Sequence, residues 1–466
     1  MYRRDFFQRV GIAGLGLGLG GISQIGSRSW LRALEKTDQV KNIIFLVSDG
    51  MSSGTLQMAD LLRQRKEGIS SHWLNLYRTN EVNRALMDMS SLNSAITDSA
   101  AASSSWGGGH RVNNNSLNVG PNGEEYKPIL QKFKAAGKAV GCVTTVPVTH
   151  ATPAGFCINS KTRGNMAEIA LKYLDLRFDV MMGGGLDQFS MQGRKDKRDL
   201  LEDFRKADYH VATFKRELPD EAIDKPLLGV FHDSGLPYSI DHTSNEIYLK
   251  NIPTIAEMTA LALRQLSRNP NGFMLQVEGG KVDWAAHAND TAGLLYDQLA
   301  FDDVIPIATK FADENPGTLV IITTDHGNAN PALVYGKNAD KNFDNLQTFT
   351  QSNYWILQGI DGQFTPQQVI ERIKLANGFS ISEDEAKAIL EYYANLKDSG
   401  DYNDYKLPYQ LLGEIQKKYT SVGWACNDHT GDYVEIAMYG SAKSLLPSFL
   451  KNTELHYFML EVCGVH

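Results

Sequence analysis

The sequence predicts an α/β fold, a three-layer sandwich around a mainly parallel central sheet. Four short apolar runs lack the alternation of apolar and polar residues that marks a half-exposed strand, so they indicate strands buried on both faces. They cover residues 42–47, 139–143, 273–277 and 319–322. Helical patterns separate the runs, as in residues 254–266, which open with the capping box Thr254-x-x-Glu257. Buried strands that alternate with helices are typical of a parallel sheet covered on both sides.

Residues 1–28 have the pattern of an export signal. Arg3 and Arg4 precede a glycine-rich, weakly apolar run over residues 10–22, as in twin-arginine export signals. That run is too short to span a bilayer comfortably and no other segment approaches its length, so we expect no transmembrane helix. A disordered tail is the alternative interpretation. We expect an exported protein, periplasmic or extracellular, with its folded domain over residues 36–466.

Composition narrows the functional class. Of the 466 residues, 42% are hydrophobic and 21% are charged, which is ordinary for a globular enzyme. The net charge of −8 leaves no basic excess to neutralise a phosphate backbone, so no nucleic-acid-binding surface is expected. A small anionic substrate stays compatible, because clustered metal ions reverse the sign of a local field. The four cysteines form no CxxC pair and allow either one or two disulfides or free buried thiols.

The segment over residues 332–424 differs from the rest of the chain. It is rich in Asn, Asp, Gln and Tyr, and it carries two predicted helices, one beginning near Thr365-Pro366 and one at Ser382-x-x-Glu385. Candidate metal ligands lie on both sides of it. We therefore interpret it as an insertion that decorates the sheet, not as a separate domain.

The predicted strands end in side chains that can bind metals. Asp49 follows the first strand, and Glu278 closes the third. Asp325 and His326 follow the fourth; a bend at the strand end can bring both to one ion. Ligands of parallel sheets bind beyond the carboxyl ends of the strands, although a single aspartate at such a place is more often a helix cap.

Two further clusters add histidines. Asp283 and His287 are four residues apart in a segment that can turn into a helix after Gly279-Gly280, so both side chains share one helical face and can chelate one zinc ion. By itself the pair is more often a solvated surface pair. His429 lies in a loop before a predicted strand over residues 434–439, and a lone histidine of this kind is more often structural.

The segment Thr97-Asp98-Ser99-Ala100-Ala101 is typical of a helix N-terminus. Serine and aspartate are good caps there, but the same position presents the Ser99 hydroxyl where backbone N–H groups and the helix dipole favour an anion. Together the clusters supply three histidines, four carboxylates and one serine. That set suffices for two zinc sites with nitrogen and oxygen ligands and one oxygen-ligated magnesium site.

Six motifs resemble the alkaline phosphatase family in content and order. They are Ser-Asp-Gly-Met at residues 48–51, Thr-Asp-Ser-Ala-Ala at 97–101, Ala-Thr-Pro-Ala at 151–154, Val-Glu-Gly-Gly-Lys-Val-Asp at 277–283, Thr-Asp-His at 324–326 and His-Thr-Gly at 429–431. The resemblance implies an exported bacterial enzyme that releases inorganic phosphate from small phosphomonoesters through a phosphoserine at Ser99. It leaves a homodimer open, and it makes residues 332–424 similar in position to a crown-type insertion.

The resemblance also implies which residues bind what. The first zinc would be held by Asp283, His287 and His429, the second by Asp49, Asp325 and His326 beside Ser99, and magnesium by Asp49, Thr152 and Glu278. Arg163, eleven residues beyond Thr152, corresponds to the substrate-binding arginine of the family.

Two positions depart from the pattern of some relatives. His150 stands where some bacterial members have an acid, and Trp284 stands where some have a charged residue or histidine near the phosphate. We expect both to lie around the metal ligands or at the substrate rim. The rival interpretations are a phosphodiesterase or another hydrolase of the alkaline phosphatase superfamily, and an exported binding protein that uses the metals structurally.

Overall fold

The computed structural model describes residues 40–396 and 407–466, so the predicted export signal lies outside the described residues. The strands are β1 (Asn42–Ser48), β2 (Asn83–Asp88), β3 (Ala139–Pro147), β4 (Val180–Gly184), β5 (His210–Ala212), β6 (Leu227–Val230), β7 (Phe273–Gly279), β8 (Thr318–Thr323), β9 (Gly327–Asn328), β10 (Ala332–Leu333), β11 (Val422–Gly423), β12 (His429–Thr430), β13 (Val434–Gly440) and β14 (Phe449–Lys451). The four apolar runs are β1, β3, β7 and β8, and the strand predicted after His429 is β13.

Ten of these strands form one central sheet, in the order β14-β2-β13-β8-β1-β7-β3-β4-β6-β5. From β8 to β5 in that order, neighbouring strands run parallel. Among the described strands of this sheet, only β13 runs in the opposite direction, and it pairs antiparallel with both β8 and β2. The predicted mainly parallel sheet is confirmed.

Both faces of the sheet are buried, which explains the continuous apolar runs. Along β1, Ile43, Phe45 and Val47 join one hydrophobic cluster. Ile44 and Leu46 point the opposite way and join a second. Successive side chains of a strand alternate between faces, so each face needs its own covering layer of helices. The three-layer sandwich follows from that requirement.

Helices supply the two outer layers. The layer on the Phe45 face contains α3 (Ser99–Gly108), α4 (Ile129–Ala135), α5 (Ala151–Cys157), α6 (Met166–Leu176), α7 (Leu200–Lys206) and α19 (Asn452–Val462). The layer on the Leu46 face contains α1 (Ser53–Glu67), α2 (His72–Arg78), α8 (Ser239–Thr243), α9 (Glu246–Asn251), α10 (Ile255–Leu266), α11 (Lys281–His287), α12 (Thr291–Asp302) and α13 (Val304–Glu314). Short 3₁₀ turns lie at Leu186–Gln188, Lys215–Glu217, Asn345–Thr348 and Lys443–Leu445. The predicted capping box is present at Thr254, the N-cap of α10.

Two glycines let α3 and α5 pack backbone to backbone. A Cβ atom at Gly107 of α3 would lie 1.9 Å from the carbonyl oxygen of Gly155 on α5. In the reverse direction, a Cβ atom at Gly155 would lie 2.2 Å from Oγ of Ser103. Neither position tolerates a side chain without movement of backbone. This close contact fixes the relative position of Ser99 on α3 and Thr152 on α5.

The segment over residues 332–424 begins and ends side by side, because β10 pairs antiparallel with β11. Its described helices are α14 (Ala339–Asp344), α15 (Asn353–Gln358), α16 (Pro366–Asn377), α17 (Glu383–Leu396) and α18 (Tyr409–Thr420). Two of them begin where the sequence predicted: α16 at the Thr365 capping box, and α17 after the reciprocal bonds between Ser382 and Glu385. The others carry no such box, and α14 and α15 are only six residues long.

Helices α15, α16 and α17 of this segment share a hydrophobic cluster of their own, which includes Ile356, Val369 and Ile389. The start of α15 is attached to the sheet domain by two buried acidic side chains. Asp241 accepts from the backbone N–H of Ser352 at 2.7 Å, and Asp290 accepts from that of Asn353 at 2.7 Å. The segment therefore combines a separate helical core with a polar attachment to α8 and the start of α12.

The cysteines are free thiols. All four lie in the described residues; Cys142 and Cys157 are buried, and their sulfur atoms are 3.8 Å apart. Of the two interpretations left open by the sequence, the structure shows the second. Among residues 40–396 and 407–466, no helix combines the length and the apolar character that a membrane crossing requires.

Candidate metal and phosphate site

The predicted site residues meet at the carboxyl ends of adjacent parallel strands. Asp49 directly follows β1, Glu278 lies at the end of β7, and Asp325 follows β8, which are neighbours in the sheet. Thr152 lies on α5, which follows β3, the neighbour of β7 on its other side. All four side chains are fully buried. The carboxyl ends of these parallel strands meet at one edge of the sheet, as the sequence predicted.

The first ligand group consists of Asp283, His287 and His429. Asp283 and His287 lie one turn apart on α11, and His429 comes from β12, which pairs with β9. Nε2 of His429 lies 3.2 Å from Nε2 of His287 and 3.5 Å from Oδ1 of Asp283. Nε2 of His287 lies 3.5 Å from Oδ2 of Asp283. Three potential ligand atoms thus surround one point.

Backbone carbonyls fix the orientation of these two imidazoles. Nδ1 of His287 lies 2.7 Å from the carbonyl oxygen of Asn427, and Nδ1 of His429 lies 2.9 Å from that of Thr97. A carbonyl oxygen only accepts, so each Nδ1 carries the proton and donates it. In the neutral ring Nε2 then presents its lone pair to the ligand group, which is the usual arrangement of histidines that bind metals.

The second ligand group consists of Asp49, Asp325 and His326, all at most 1% exposed. Nε2 of His326 lies 3.6 Å from Oδ1 of Asp49 and 3.1 Å from Oδ2 of Asp325. Oγ of Ser99 lies 3.3 Å from the same Nε2. The predicted bend after β8 therefore does bring the adjacent Asp325 and His326 together, and the serine hydroxyl borders this group.

The third ligand group consists of Asp49, His150 and Glu278. The Thr152 hydroxyl donates to Oδ2 of Asp49 at 3.3 Å, and the Thr144 hydroxyl donates to Oε2 of Glu278. Asp49 belongs to the second and third groups alike, so it can bridge two ions. His150 adds a nitrogen atom to a set that the sequence predicted as oxygen-only.

These separations fit zinc. Two ligands bound at the usual distances to a tetrahedral zinc ion lie about 3.3 Å from each other. The separations are 3.2–3.5 Å in the first group and 3.1–3.6 Å in the second. Mixed nitrogen and carboxylate ligands are those that zinc prefers, and the acid-rich third group suits a harder ion such as magnesium.

The charges of the site also fit bound cations. Burial, followed by the neighbouring carboxylates of Asp325 and Asp283, raises the pKa of Asp49 well above its usual range. Burial raises the pKa of Glu278 to about 7. Oδ1 of Asp49 and Oε1 of Glu278 are buried and accept no hydrogen bond from any described residue. Carboxylates that repel one another and lack donors are stabilised by cations placed between them.

Ser99 is the first residue of α3, and Asp98 is its N-cap. One oxygen of Asp98 accepts from the backbone N–H of Ala101 at 2.9 Å. The other lies 3.1 Å from Nη1 of Arg163, which is thereby tied to the same helix end. A serine at this position meets the positive end of the helix dipole and unsatisfied N–H groups, which favour a bound anion.

Arg163 also reaches His150. Its Nη2 donates to Nε2 of His150 at 3.0 Å, and about a quarter of the Arg163 side chain is exposed. Burial, and then the charge of Arg163, lowers the pKa of His150 to about 3, so this imidazole is neutral at any ordinary pH. Trp284 packs its ring edge-on against His150, with centroids 5.9 Å apart. His150 therefore contacts Arg163 directly and Trp284 contacts His150, while their expected place around the metal ligands or at the substrate rim stays a prediction.

A family model described as Alkaline phosphatase matches residues 40–465. The chain belongs to the alkaline phosphatase family. Membership makes it a hydrolase of phosphate monoesters and implies metal ions.

Individual members of the family agree with this assignment. Alkaline phosphatase 4 of Bacillus subtilis (strain 168) is 30% identical over 433 residues, which cover 89% of this chain and 87% of the relative. Alkaline phosphatase 3 of the same organism is 31% identical over 430 residues, which cover 90% of this chain and 88% of the relative. The crystal structure of Thermus thermophilus alkaline phosphatase superimposes with a TM-score of 0.85 at 29% identity and covers 96% of both chains.

Several residues of this alkaline phosphatase site were not singled out by the sequence. Asn328 donates to Oδ1 of Asp283 at 2.7 Å, Thr144 donates to Glu278, and Asp98 holds Arg163. Asp98 was visible inside the Thr-Asp-Ser-Ala-Ala motif, but only as a helix cap, and Asn328 and Thr144 were visible only as polar residues after predicted strands. Their roles depend on partners 45 to 134 residues away, which local spacing does not reveal.

Proposed function

We propose that the protein hydrolyses small phosphomonoesters through a phosphoserine at Ser99, with two zinc ions and one magnesium ion. The observation that carries this proposal is the position of the Ser99 hydroxyl at a helix N-terminus, 3.3 Å from Nε2 of His326 in the second ligand group, whose spacing fits zinc. A nucleophile, an anion-binding helix end and cation sites are the parts that phosphate transfer needs.

The three ligand groups support an assignment of the metals. Asp283, His287 and His429 would hold the first zinc; Asp49, Asp325 and His326 would hold the second; Asp49, Thr152 and Glu278 would hold magnesium, with His150 beside them. When bound, these ions supply Lewis-acid stabilisation of negative charge on the oxygens that enter and leave phosphorus. A neutral imidazole has one acceptor nitrogen, and that of His150 accepts from Arg163, so His150 can bind an ion in the third group, and favour zinc there, only when it releases this hydrogen bond.

The chain's own residues perform the other steps. Ser99 Oγ forms a bond to phosphorus while the bond from phosphorus to the substrate alkoxide breaks, and overall the proton that Ser99 loses ends on the released alcohol. Water then breaks the phosphoserine bond and regenerates the hydroxyl. Arg163 presents two N–H groups of its planar fork to non-bridging phosphate oxygens, as guanidinium groups do. In the structure Nη1 donates one N–H to Asp98 and Nη2 donates one N–H to His150, and each of these nitrogens carries a second N–H for phosphate.

Substitution of Ser99 tests the nucleophile. In Ser99→Ala we expect no phosphoserine and a loss of turnover of at least roughly 1,000-fold, because removal of a nucleophile leaves only residual catalysis from binding and charge stabilisation. The measurement is acid trapping of labelled phosphate, followed by peptide mapping. Ser105→Ala is the matched control, because Ser105 is buried on the same helix and donates only to the Ala101 carbonyl within the described residues. Label on any residue other than Ser99 contradicts the proposal.

The same preparations separate the rival hydrolases. A phosphomonoesterase turns over an aryl phosphate far faster than the corresponding diester or sulfate ester, and a phosphodiesterase shows the reverse order. Metal analysis of the purified protein counts the zinc and magnesium directly. A protein with bound metals and no turnover of any ester would be a binding protein.

The remaining proposals concern location and assembly. We propose that residues 1–28 direct export to the periplasm or the cell exterior, that residues 36–466 form the catalytic domain, and that residues 332–424 decorate it. We further propose a homodimer. Cell fractionation with and without residues 1–28 tests export, and sedimentation equilibrium tests the dimer.

A further inference from the structure

Lys281 is a buried cation next to the candidate site that the proposed function does not use. It is the first residue of α11 and is 7% exposed. Its ammonium nitrogen lies 3.7 Å from the ring centroid of Tyr238 and 4.6 Å from that of Trp284. A cation at these distances is attracted to the faces of both rings, and most strongly when water is excluded.

Trp284 is held from three directions. Lys281 lies over its ring, and His150 meets it edge-on with centroids 5.9 Å apart. On a further side the backbone of Gly235 approaches so closely that a Cβ atom there would lie 2.9 Å from Cζ3 of the indole. The indole therefore has little freedom as long as the ammonium stays in place.

His150 contacts both Trp284 and Arg163, so the position of the indole affects the arginine. Its Nε2 accepts from Nη2 of Arg163 at 3.0 Å, and this bond together with the ion pair to Asp98 fixes both ends of the guanidinium fork. Bidentate binding of phosphate depends on the direction of that plane. A shift of the imidazole would rotate the fork away from the phosphate oxygens.

Acids explain why a lysine is tolerated at this depth. The charges of Asp297, Asp241 and Asp290 all favour the ammonium form of Lys281. Asp241 and Asp290 are occupied by backbone N–H groups of Ser352 and Asn353, and Asp297 accepts from the backbone N–H of Ser239. The acids thus contribute negative charge that favours the ammonium, and the aromatic rings of Tyr238 and Trp284 contact it directly.

We propose that Lys281 is a positioning residue for phosphate binding, because its ammonium fixes Trp284 against His150 and thereby sets the direction of the Arg163 fork. This inference rests on the proposed role of Arg163 in binding the phosphate group. The competing explanation is purely structural: Lys281 would only neutralise the buried acids and stabilise the fold.

The test measures the affinity for inorganic phosphate by titration calorimetry on protein loaded with zinc and magnesium. The measurement is made at pH 7. Lys281→Met removes the charge and keeps the length; Lys281→Arg keeps the charge. Trp284→Leu removes the ring and leaves Lys281 and its acids in place. Lys66→Met is the matched control, because Lys66 lies 4.5 Å from the Tyr296 ring centroid, away from the site.

We expect Lys281→Met to weaken phosphate affinity by roughly 3- to 30-fold, which is the range of one cation–π contact. Lys281→Arg should restore most of the affinity, and Lys66→Met should change it less than twofold. With an aryl phosphate, KM should rise by the larger factor and kcat should fall less. Because Lys281 acts through the indole, Trp284→Leu should show a similar loss, and adding Lys281→Met to it should cause little further loss.

Three results overturn the inference: unchanged phosphate affinity in Lys281→Met, equal losses from Lys281→Met with and without Trp284, or unchanged affinity in Trp284→Leu. The last result decides the matter even if Lys281→Met does not fold. If the wild-type protein neither binds phosphate nor hydrolyses the aryl phosphate, the proposed function itself is wrong. If it does both and only the Lys281 effects are missing, only the positioning role is wrong.

Discussion

Removal of His429 tests the first ligand group most directly. His429 supplies one of three ligand atoms, and its Nε2 lies 3.2 Å from that of His287 and 3.5 Å from Oδ1 of Asp283. Without it, Asp283 and His287 remain on one face of α11 with nothing opposite them. Catalytic zinc normally keeps three protein ligands and one open position, so the ion would be left with two.

The size of the effect follows from that count. Loss of a mere hydrogen-bond partner of a ligand typically costs 10- to 100-fold in metal affinity. Loss of the ligand itself should cost more, so we expect zinc affinity at the first group to fall by more than roughly 100-fold. The second group keeps Asp49, Asp325 and His326 and should retain its ion. Phosphate should still bind weakly through Arg163, and hydrolysis of the phosphoserine should suffer at least as much as its formation.

The choice of variant matters, because the His429 ring also stacks on His326 with centroids 3.7 Å apart. His429→Ala removes both the ligand and the stacking. His429→Phe keeps an aromatic ring for stacking and removes both ring nitrogens, the ligand atom Nε2 and the Nδ1 that donates to the Thr97 carbonyl, so it separates the loss of the nitrogens from the loss of stacking. His287→Ala should reproduce the loss of one zinc ion. His110→Ala is the control, because His110 is an exposed histidine that stacks on Tyr126 and is absent from the three ligand groups.

The assay is metal counting by native mass spectrometry, with and without excess zinc, alongside turnover of an aryl phosphate. We expect one zinc ion fewer per chain in His429→Ala and in His429→Phe, and recovery of occupancy only at high zinc. Full zinc content with normal turnover in both variants would show that His429 is an ordinary loop residue. The assignment of the first group would then be wrong.

Three further predictions concern protons, packing and the insertion. Burial alone would lower the pKa of His429, but the Asp283 carboxylate outweighs burial and raises that pKa to about 9 in the metal-free protein. Zinc must therefore displace a proton from His429 below pH 9, so the apparent zinc affinity should fall as the pH falls. Calorimetry of zinc binding at pH 7.5 in two buffers should show the release of this proton. Gly107→Ala should destabilise the protein by about 1–3 kcal/mol or more in urea unfolding, because its Cβ would lie 1.9 Å from the Gly155 carbonyl oxygen, whereas Gly336→Ala, with nothing within 4 Å, should change stability by less than about 0.5 kcal/mol. Excision of residues 334–421, closed by a short turn across β10 and β11, should lower the melting temperature and leave zinc content near normal; a folded deletion without zinc would show that the segment belongs to the catalytic core.

The sequence by itself determined the sheet and where it would carry chemistry. The apolar runs of β1, β3, β7 and β8 are continuous because both sheet faces are covered, and that burial is a local property of each strand. The ligands at the strand ends follow from the same pattern, since parallel strands deliver their carboxyl ends to one edge. The pair Asp283 and His287 was equally predictable, because helical spacing alone puts the two side chains on one face.

The tertiary structure decided which of these side chains meet. His429 lies 142 residues from His287, and only the pairing of β12 with β9, on the far side of the insertion, brings their nitrogens to 3.2 Å. The bond between Arg163 and His150, and the cation–π contact of Lys281 with Tyr238, likewise join segments that share no pattern in the sequence. Periodicity and capping report only on neighbours along the chain. Contacts across the sheet depend on how whole layers pack, so distances and hydrogen-bond partners could come only from the folded molecule.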